Sequence, residues 1–194
     1  VHSISGVSGL TFLSSYPEKV HAFIAIDNTV YDEALSEALA MEQDYMLQVA
    51  EKFDELRNTF GSIEEFEAAI AADPSQYGAE LPDVAGYTYT ESDQEEYYEA
   101  YTDSSNQTIQ NEILNMDENL ESIKGVKFPS VLPVLTLISS ENVQAMPAWK
   151  TAHQDQLDFN AGNHELHIIE GNHYIWYTNI NGVVQFILEW ENKY

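Results

Sequence analysis

The chain of 194 residues is 44% hydrophobic, which supplies enough apolar side chains for the core of one ordinary globular domain. Its 33 acidic residues against 7 Lys and Arg residues give a formal net charge of −26, so nucleic acid and anionic membrane surfaces would be repelled. Cysteine is absent, which excludes disulfides, thiolate metal sites and cysteine nucleophiles. We therefore expect a small-molecule partner that is neutral or cationic, and no nucleic acid partner.

The first 27 residues are predicted to form a turn, a helix and a strand. Residues 1–6 are small and typical of a turn, and the apolar side chains that follow recur at helical spacing up to residue 15. Residues 22–26, with the sequence AFIAI, form a continuously apolar run that ends at Asp27. Such a run is expected of a short strand that is buried on both faces.

The next segment, from residue 31 to about 123, has an acidic and helical pattern. Apolar residues recur there every seven positions, at Leu39, Met46, Phe53 and Phe60. This spacing predicts one long amphipathic helix or two abutting helices.

Breaks divide the rest of this helical segment. A capping box at residues 62–65 predicts the start of another helix, which ends at Asp73-Pro74. Residues 75–92 hold glycine and proline without a clear period and are predicted as a loop. We expect helix again from residue 93 to about 123, with breaks near residues 102–105.

From residue 133 onward, strand and helix patterns alternate again. Strands are predicted at 134–138 and 165–169, and helices at 147–160 and 183–190. Alternation of this kind predicts an α/β fold in which helices cover both faces of a parallel sheet, interrupted by the helical insertion. The carboxyl ends of parallel strands are where such sheets bind ligands.

A candidate nucleophile lies at the start of the first predicted helix. In His2-Ser3-Ile4-Ser5-Gly6, small residues follow a serine at a tight turn into a helix, as the strained nucleophile elbow of serine hydrolases requires. The alternative is that these serines only cap the helix N-terminus. A serine hydroxyl is a poor nucleophile and needs an imidazole base, which in turn needs a carboxylate to fix its tautomer. His173, in a loop after the last predicted strand, is the candidate base.

Two segments resemble a known family. VHSISGVSGLTFLSSYPEKVHAFIAID resembles the elbow, helix and next strand of α/β-hydrolase-fold enzymes, and IIEGNHYIWYTN resembles their histidine loop. The similarity is greatest to Gram-positive bacterial hydrolases with P-H-S-x-S-G at the elbow. It implies a partial α/β-hydrolase fold with core segments at 1–30 and 126–194 and a helical cap at 31–125. It also implies an esterase-like serine hydrolase that needs neither a cofactor nor a metal.

The resemblance leaves the acid of the triad open between three residues. Asn142 stands where the family usually has Asp, and we choose its neighbour Glu141 as the acid. Asp27 is the runner-up, because some members of the fold carry the acid at the end of the preceding strand. An Asn at this place orients an imidazole but stabilises its positive charge less well than a carboxylate does.

The resemblance also implies an oxyanion hole with two backbone N–H donors. The Ile4 amide, directly after the nucleophile, is the expected first donor. The second belongs to a loop after an early strand, and the family has four or five strands ahead of the elbow. We therefore expect a complete enzyme to need roughly another hundred residues on the N-terminal side. The alternative function is a non-catalytic α/β-hydrolase-fold protein that binds a partner or ligand.

Overall fold

The three predicted strands form one parallel sheet in the computed structural model, which describes residues 1–84, 86–103 and 106–194. The strands are β1 (Phe23–Ile26), β2 (Val134–Ser139) and β3 (His164–Ile169), in the order β1-β2-β3. All six residues of the central strand β2 are buried, as its largely apolar sequence predicts. The predicted mixed α/β architecture with a parallel sheet is confirmed.

The N-terminal residues extend this sheet beyond β1. His2 pairs with Ile26 in a parallel bridge, and the Ile26 N–H donates to the Val1 carbonyl oxygen at 2.9 Å. Residues 1–6 were predicted as a turn only, since two paired residues are too few to show a strand period. The chain therefore leaves the sheet at His2 and turns directly into the first helix.

Helices make up most of the remaining described chain. Their bounds are α1 (Ser5–Ser15), α2 (Ser36–Arg57), α3 (Ile63–Ala72), α4 (Pro74–Tyr77), α5 (Glu91–Thr102), α6 (Gln107–Leu114), α7 (Met116–Ser122), α8 (Ser140–Ala145), α9 (Ala148–Gln156), α10 (Ile175–Thr178) and α11 (Ile180–Glu191). None of these helices combines the length and the apolar character that crossing a membrane requires.

The described residues divide into two compact units. One comprises Val1–Ala38 and Asp117–Tyr194 and contains the sheet, and the other comprises Leu39–Met116. The insertion predicted at 31–125 thus extends beyond the second unit at both ends. Its first residues, up to Ala38 in α2, and its last residues, from Asp117 on, belong to the unit that contains the sheet.

One face of the sheet is covered by the last two helices. Leu135 and Leu137 of β2 pack with Ile175 of α10 and with Val183 and Trp190 of α11. Burying each of these side chains stabilises the fold by about 1.5–3 kcal/mol relative to exposing it. This packing fixes β3 and the loop after it, which carries His173.

The second unit has an apolar core of its own. Phe66 and Ile70 of α3 are fully buried with Ala79. The predicted cap of α3 is confirmed, since the Ser62 hydroxyl accepts a hydrogen bond from the Glu65 N–H at 3.2 Å. The Glu65 carboxylate accepts from the Gly61 N–H instead of closing the box on Ser62.

The predicted helix bounds in the second unit need three corrections. The first long helix ends at Arg57, short of Phe60, and the predicted loop at 75–92 begins with the helical turn α4. The break predicted near 102–105 follows the end of α5, although residues 104 and 105 lie outside the described residues. A further break at Asn115 separates α6 from α7.

Gly6 lies where α1 approaches the residues that follow β1, and this close contact requires glycine. A Cβ atom at residue 6 would lie 2.8 Å from the Cβ of Asn28 and 3.0 Å from the carbonyl oxygen of Thr29. These residues directly follow β1, so α1 can reach the end of the sheet only with glycine at this position.

We expect Gly6→Ala to destabilise the protein by about 1–3 kcal/mol, the usual cost of forcing an extra methyl group into a packed site. Urea unfolding followed by circular dichroism measures the change. The matched control is Ser8→Ala, because Ser8 is exposed on the same helix. A Gly6→Ala variant as stable as the control would contradict this account of the turn.

Candidate active site

Ser3 lies at a strained turn between the sheet and α1. Its φ angle is +52°, a left-handed conformation that non-glycine residues rarely adopt and that costs on the order of 1–3 kcal/mol. Its carbonyl oxygen accepts hydrogen bonds from the Gly6 and Thr29 N–H groups, both at 2.9 Å. These bonds hold the turn in place, so the Ser3 hydroxyl projects from the carboxyl end of the sheet.

The loop after β3 brings His173 to the same edge. Gly171 has a φ of +140°, and a Cβ there would lie 2.7 Å from the Thr178 hydroxyl oxygen. Gly171 also bonds to the first turn of α8, where its carbonyl oxygen accepts from the Glu141 N–H and its own N–H donates to the Ser140 hydroxyl, both at 3.2 Å. The histidine loop is therefore fixed to the end of β2.

The structure brings together the two residues that the sequence singled out. The Ser3 Oγ and the His173 Nε2 are 2.8 Å apart, although the residues are separated by 170 positions in the chain. The other ring nitrogen, Nδ1, lies 2.9 Å from the Asp27 Oδ2. Because a carboxylate only accepts hydrogen bonds, Nδ1 carries the proton and Nε2 is left to accept from the serine hydroxyl.

Asp27, rather than Glu141, is the carboxylate that contacts the imidazole, so our choice of Glu141 needs correction. Glu141 lies in the first turn of α8 with its side chain exposed, and its backbone N–H bonds to Gly171. Successive residues of a helix point about 100° apart. At this turn the neighbouring side chain, Asn142, therefore points to the imidazole, with its Nδ2 3.3 Å from Nδ1.

The Asp27 carboxylate is fully buried and accepts four hydrogen bonds. Oδ1 accepts from the Ser139 N–H at 3.0 Å and from the Trp149 indole N–H at 2.9 Å. Oδ2 accepts from His173 and, at 2.7 Å, from the Asn142 side-chain amide. Burial alone would raise the pKa of this carboxyl, but the bonds from His173, Ser139 and Trp149 outweigh it and hold the pKa below its ordinary value.

A second buried histidine supports the loop that carries Asp27. The ring nitrogens of His153 lie 2.8 Å from the Trp149 carbonyl oxygen and 2.9 Å from the Asn28 carbonyl oxygen. Burial lowers the pKa of His153, while its hydrogen bonds to the two carbonyl oxygens act in the opposite direction. No sequence motif pointed to this residue. The available signal was its spacing of four from Trp149, which places both side chains on one face of α9.

Ile4, the predicted oxyanion donor, directly follows Ser3 in the chain. Ile4 immediately precedes α1, where backbone N–H groups are directed out of the helix end. Within the described part of the chain, no group accepts a hydrogen bond from the Ile4 N–H. This amide is consequently free to donate to the oxygen of a bound carbonyl compound.

Aromatic side chains border the Ser3–His173 pair. The His2 ring lies 4.7 Å from the His173 ring, and its Nε2 is 3.0 Å from the His173 carbonyl oxygen, to which it can donate. Burial lowers the pKa of His2, and the hydrogen bond to the His173 carbonyl oxygen offsets part of this shift. Tyr174 and Trp176 contact His2 and are 45% and 44% exposed, so they form an open aromatic rim.

Among the residues that the structure describes, no group of three or more His, Asp or Glu side chains is arranged to hold a metal ion. The arrangement of Ser3, His173 and Asp27 is suited to nucleophilic attack by an activated hydroxyl, with proton transfer through one imidazole.

Comparisons of the chain with protein-family models, with curated proteins and with solved structures found no match. The function must therefore be inferred from the geometry around Ser3.

The lowered pKa of Asp27 predicts how this group contributes to stability in acid. Because the folded-state pKa of Asp27 is depressed, its carboxylate stabilises the fold at pH values above the unfolded-state pKa of about 3.9. This contribution is lost as the pH falls through the lower folded-state pKa. We expect the stability difference between wild type and Asp27→Asn to shrink as the pH falls below about 4, which is below the ordinary titration range of histidine.

Urea unfolding at each pH, followed by tryptophan fluorescence, measures this difference. Glu141→Gln is the control, since it removes an exposed carboxylate at the same edge of the sheet. A difference between wild type and Asp27→Asn that stays constant across the range would refute the proposed ionisation of Asp27.

Proposed function

We propose that this chain is a serine hydrolase of the α/β-hydrolase type that cleaves a carboxylic ester or a related acyl substrate. The observation that carries the proposal is the continuous hydrogen-bond chain from the Ser3 hydroxyl through His173 to the buried Asp27 carboxylate, at 2.8 and 2.9 Å. Such a chain of nucleophile, base and acid is recognised by geometry and roles rather than by sequence position. No cofactor is needed for this chemistry.

Each group has a role in acylation. The Ser3 Oγ attacks the substrate carbonyl carbon as its proton passes to the His173 Nε2, and the carbonyl oxygen becomes an oxyanion. The Ile4 N–H is placed to donate to that oxyanion. When the tetrahedral intermediate collapses, the bond to the leaving alcohol breaks and His173 returns the proton to its oxygen. Water activated by the same imidazole then hydrolyses the acyl-enzyme and restores Ser3.

Asp27 has two functions in this scheme. Its bond to Nδ1 keeps Nε2 unprotonated before the attack, and its negative charge stabilises the imidazolium that forms during it. Because the carboxylate is fully buried, water screens this interaction little. The hydrogen bonds from Ser139 and Trp149 fix its orientation, so little reorganisation accompanies proton transfer.

Two features of the fold support the finer assignment to the α/β-hydrolase type. Ser3 has a positive φ between a residue paired to the sheet and a helix, which is the geometry of a nucleophile elbow. Its partners Asp27 and His173 follow the ends of β1 and β3, which flank β2 in one parallel sheet, and the chain order is serine, acid, histidine. The net charge of −26 favours neutral or cationic substrates over anionic ones.

The direct test is covalent labelling of Ser3 by a fluorophosphonate probe. We expect labelling of the wild type and none of Ser3→Ala, because only a serine activated by a base reacts at a useful rate. Intact-protein mass spectrometry followed by peptide mapping locates the label. Ser8→Ala, on the exposed side of α1, is the matched control and should label as the wild type does. A folded full-length protein that never reacts would favour the non-catalytic binding alternative.

The choice between the two acids is tested by the labelling rate. Asp27→Asn keeps the size of the side chain and tolerates the φ of +41° at this position, because asparagine is one of the few residues that adopt the left-handed region readily. We expect it to slow labelling by about 10³–10⁴-fold, the order found when a triad Asp becomes Asn. Glu141→Gln should leave the rate unchanged. If Glu141→Gln slows labelling and Asp27→Asn does not, Glu141 is the acid that orients His173.

A further inference from the structure

The aromatic rim formed by Tyr174 and Trp176 begins directly beside the His173 imidazole. The Tyr174 ring lies 5.2 Å from the His173 ring and 5.5 Å from the His2 ring. The Trp176 indole follows, 6.1 Å from the His2 ring and 6.5 Å from the Tyr174 ring. The rim therefore borders the space next to the Ser3 hydroxyl, and a short substituent of a bound carbonyl compound can reach it.

The Trp176 indole keeps its faces clear of stacked neighbours. It contacts the rings of His2, Tyr174 and Tyr177 at interplanar angles of 79°, 78° and 90°. In the part of the chain that the structure describes, no ring is stacked in parallel on this indole, which is 44% exposed. The face of an aromatic ring carries a negative potential that attracts cations, and the indole of tryptophan attracts them most strongly.

Lysine side chains lie over two other aromatic rings of this chain. The Lys19 Nζ is 4.6 Å from the centre of the Tyr16 ring, and the Lys124 Nζ is 4.9 Å from the centre of the Tyr31 ring. Among the described residues, no Lys or Arg side chain lies over the rings of the aromatic rim. The rim therefore retains its attraction for a cation that comes from outside the chain.

The charged side chains around the site are acidic. The segments that surround it are residues 1–6, 27–32, 139–146 and 170–178. None of these segments contains a Lys or an Arg. Glu141 and Glu170 are exposed there, one at the start of α8 and the other directly after β3. The local potential is consequently negative, and the net charge of −26 adds attraction for cations at longer range.

We propose that the aromatic rim binds a positively charged group of the substrate, so that the hydrolase prefers esters that carry an alkylammonium group. The inference rests on the proposed function and narrows its substrate class. Trp176 supplies the main contact surface, while Glu141 and Glu170 make the surrounding potential negative. A quaternary ammonium group suits this surface, because its methyl groups contact the ring and it has no N–H donors that need hydrogen-bond partners.

The test compares two esters of the same shape that differ in charge. Choline butyrate carries a trimethylammonium group, and 3,3-dimethylbutyl butyrate has a carbon atom in place of the charged nitrogen. We expect kcat/KM to be at least about fivefold higher for the choline ester, the order expected of one cation–π contact. The rates are measured by pH-stat titration in about 1 M NaCl, where the Debye length of about 3 Å screens long-range attraction but not a ring contact.

Equal kcat/KM values for the two esters at this salt concentration would overturn the proposal. The rim would then be an apolar surface without a preference for charge.

Variants locate the preference on the rim. Trp176→Leu keeps an apolar side chain but removes the ring, so the ratio of the two kcat/KM values should fall to near one. Trp176→Phe restores a ring and should recover part of the ratio. The matched control is Phe159→Leu, since Phe159 is 51% exposed but precedes β3, away from the carboxyl end of that strand. A wild-type ratio in a folded Trp176→Leu variant, or an equal loss in the control, would refute the role of Trp176.

A binding measurement does not depend on activity. Choline and its neutral counterpart 3,3-dimethyl-1-butanol are titrated into the Ser3→Ala variant, and the indole N–H resonances are followed by NMR. We expect choline to shift the Trp176 resonance in a saturable manner and at lower concentration than the neutral alcohol does. Trp149 and Trp190 are buried, so their resonances should stay in place and serve as internal controls. An unmoved Trp176 resonance, or equal affinity for the two alcohols, would contradict the proposed site.

These readouts separate the cation site from the proposed function. If the fluorophosphonate probe never labels the protein but choline shifts the Trp176 resonance as expected, the cation site stands and the hydrolase proposal fails. If the probe labels Ser3 and both esters are hydrolysed equally well, the hydrolase proposal stands and the preference for cationic substrates is wrong.

Discussion

The geometry of the site depends on one buried negative charge. An unpaired carboxylate in a protein interior would take up a proton, because transferring its charge out of water costs several kcal/mol. Asp27 avoids this because a backbone amide, an indole, an imidazole and a side-chain amide all donate to it. These donors come from β2, α8, α9 and the histidine loop. The charge therefore fixes the mutual positions of four segments of the chain.

Parallel pairing explains why these segments meet at one edge. In a parallel sheet, the carboxyl ends of neighbouring strands lie side by side, so the residues that follow β1, β2 and β3 are close in space although they are distant in sequence. Ser3 joins them because His2 pairs with the outer side of β1. The short strands thus bring together residues that are up to 170 positions apart.

The sequence predicted the parts that depend on periodicity and chain order. Apolar runs located β1 and β2, the pattern at 165–169 located β3, and the serine turn and histidine loop located Ser3 and His173. The carboxylate that contacts His173 was misassigned because choosing between Asp27 and Glu141 depends on side-chain direction at a helix start, which the order of residues in the chain does not show. His153 and the donor role of Trp149 were missed for a related reason. Both depend on contacts between α9 and the loop after β1, which leave no periodic signal.

The left-handed backbone at Ser3 also limits which side chains this position can hold. A positive φ is a genuine outlier for a β-branched residue, so threonine would add its methyl group to a backbone that is already strained. Cysteine has an unbranched Cβ like serine and would meet no such obstacle. The backbone conformation at position 3 therefore admits cysteine in place of serine and excludes threonine, independently of how reactive either side chain is.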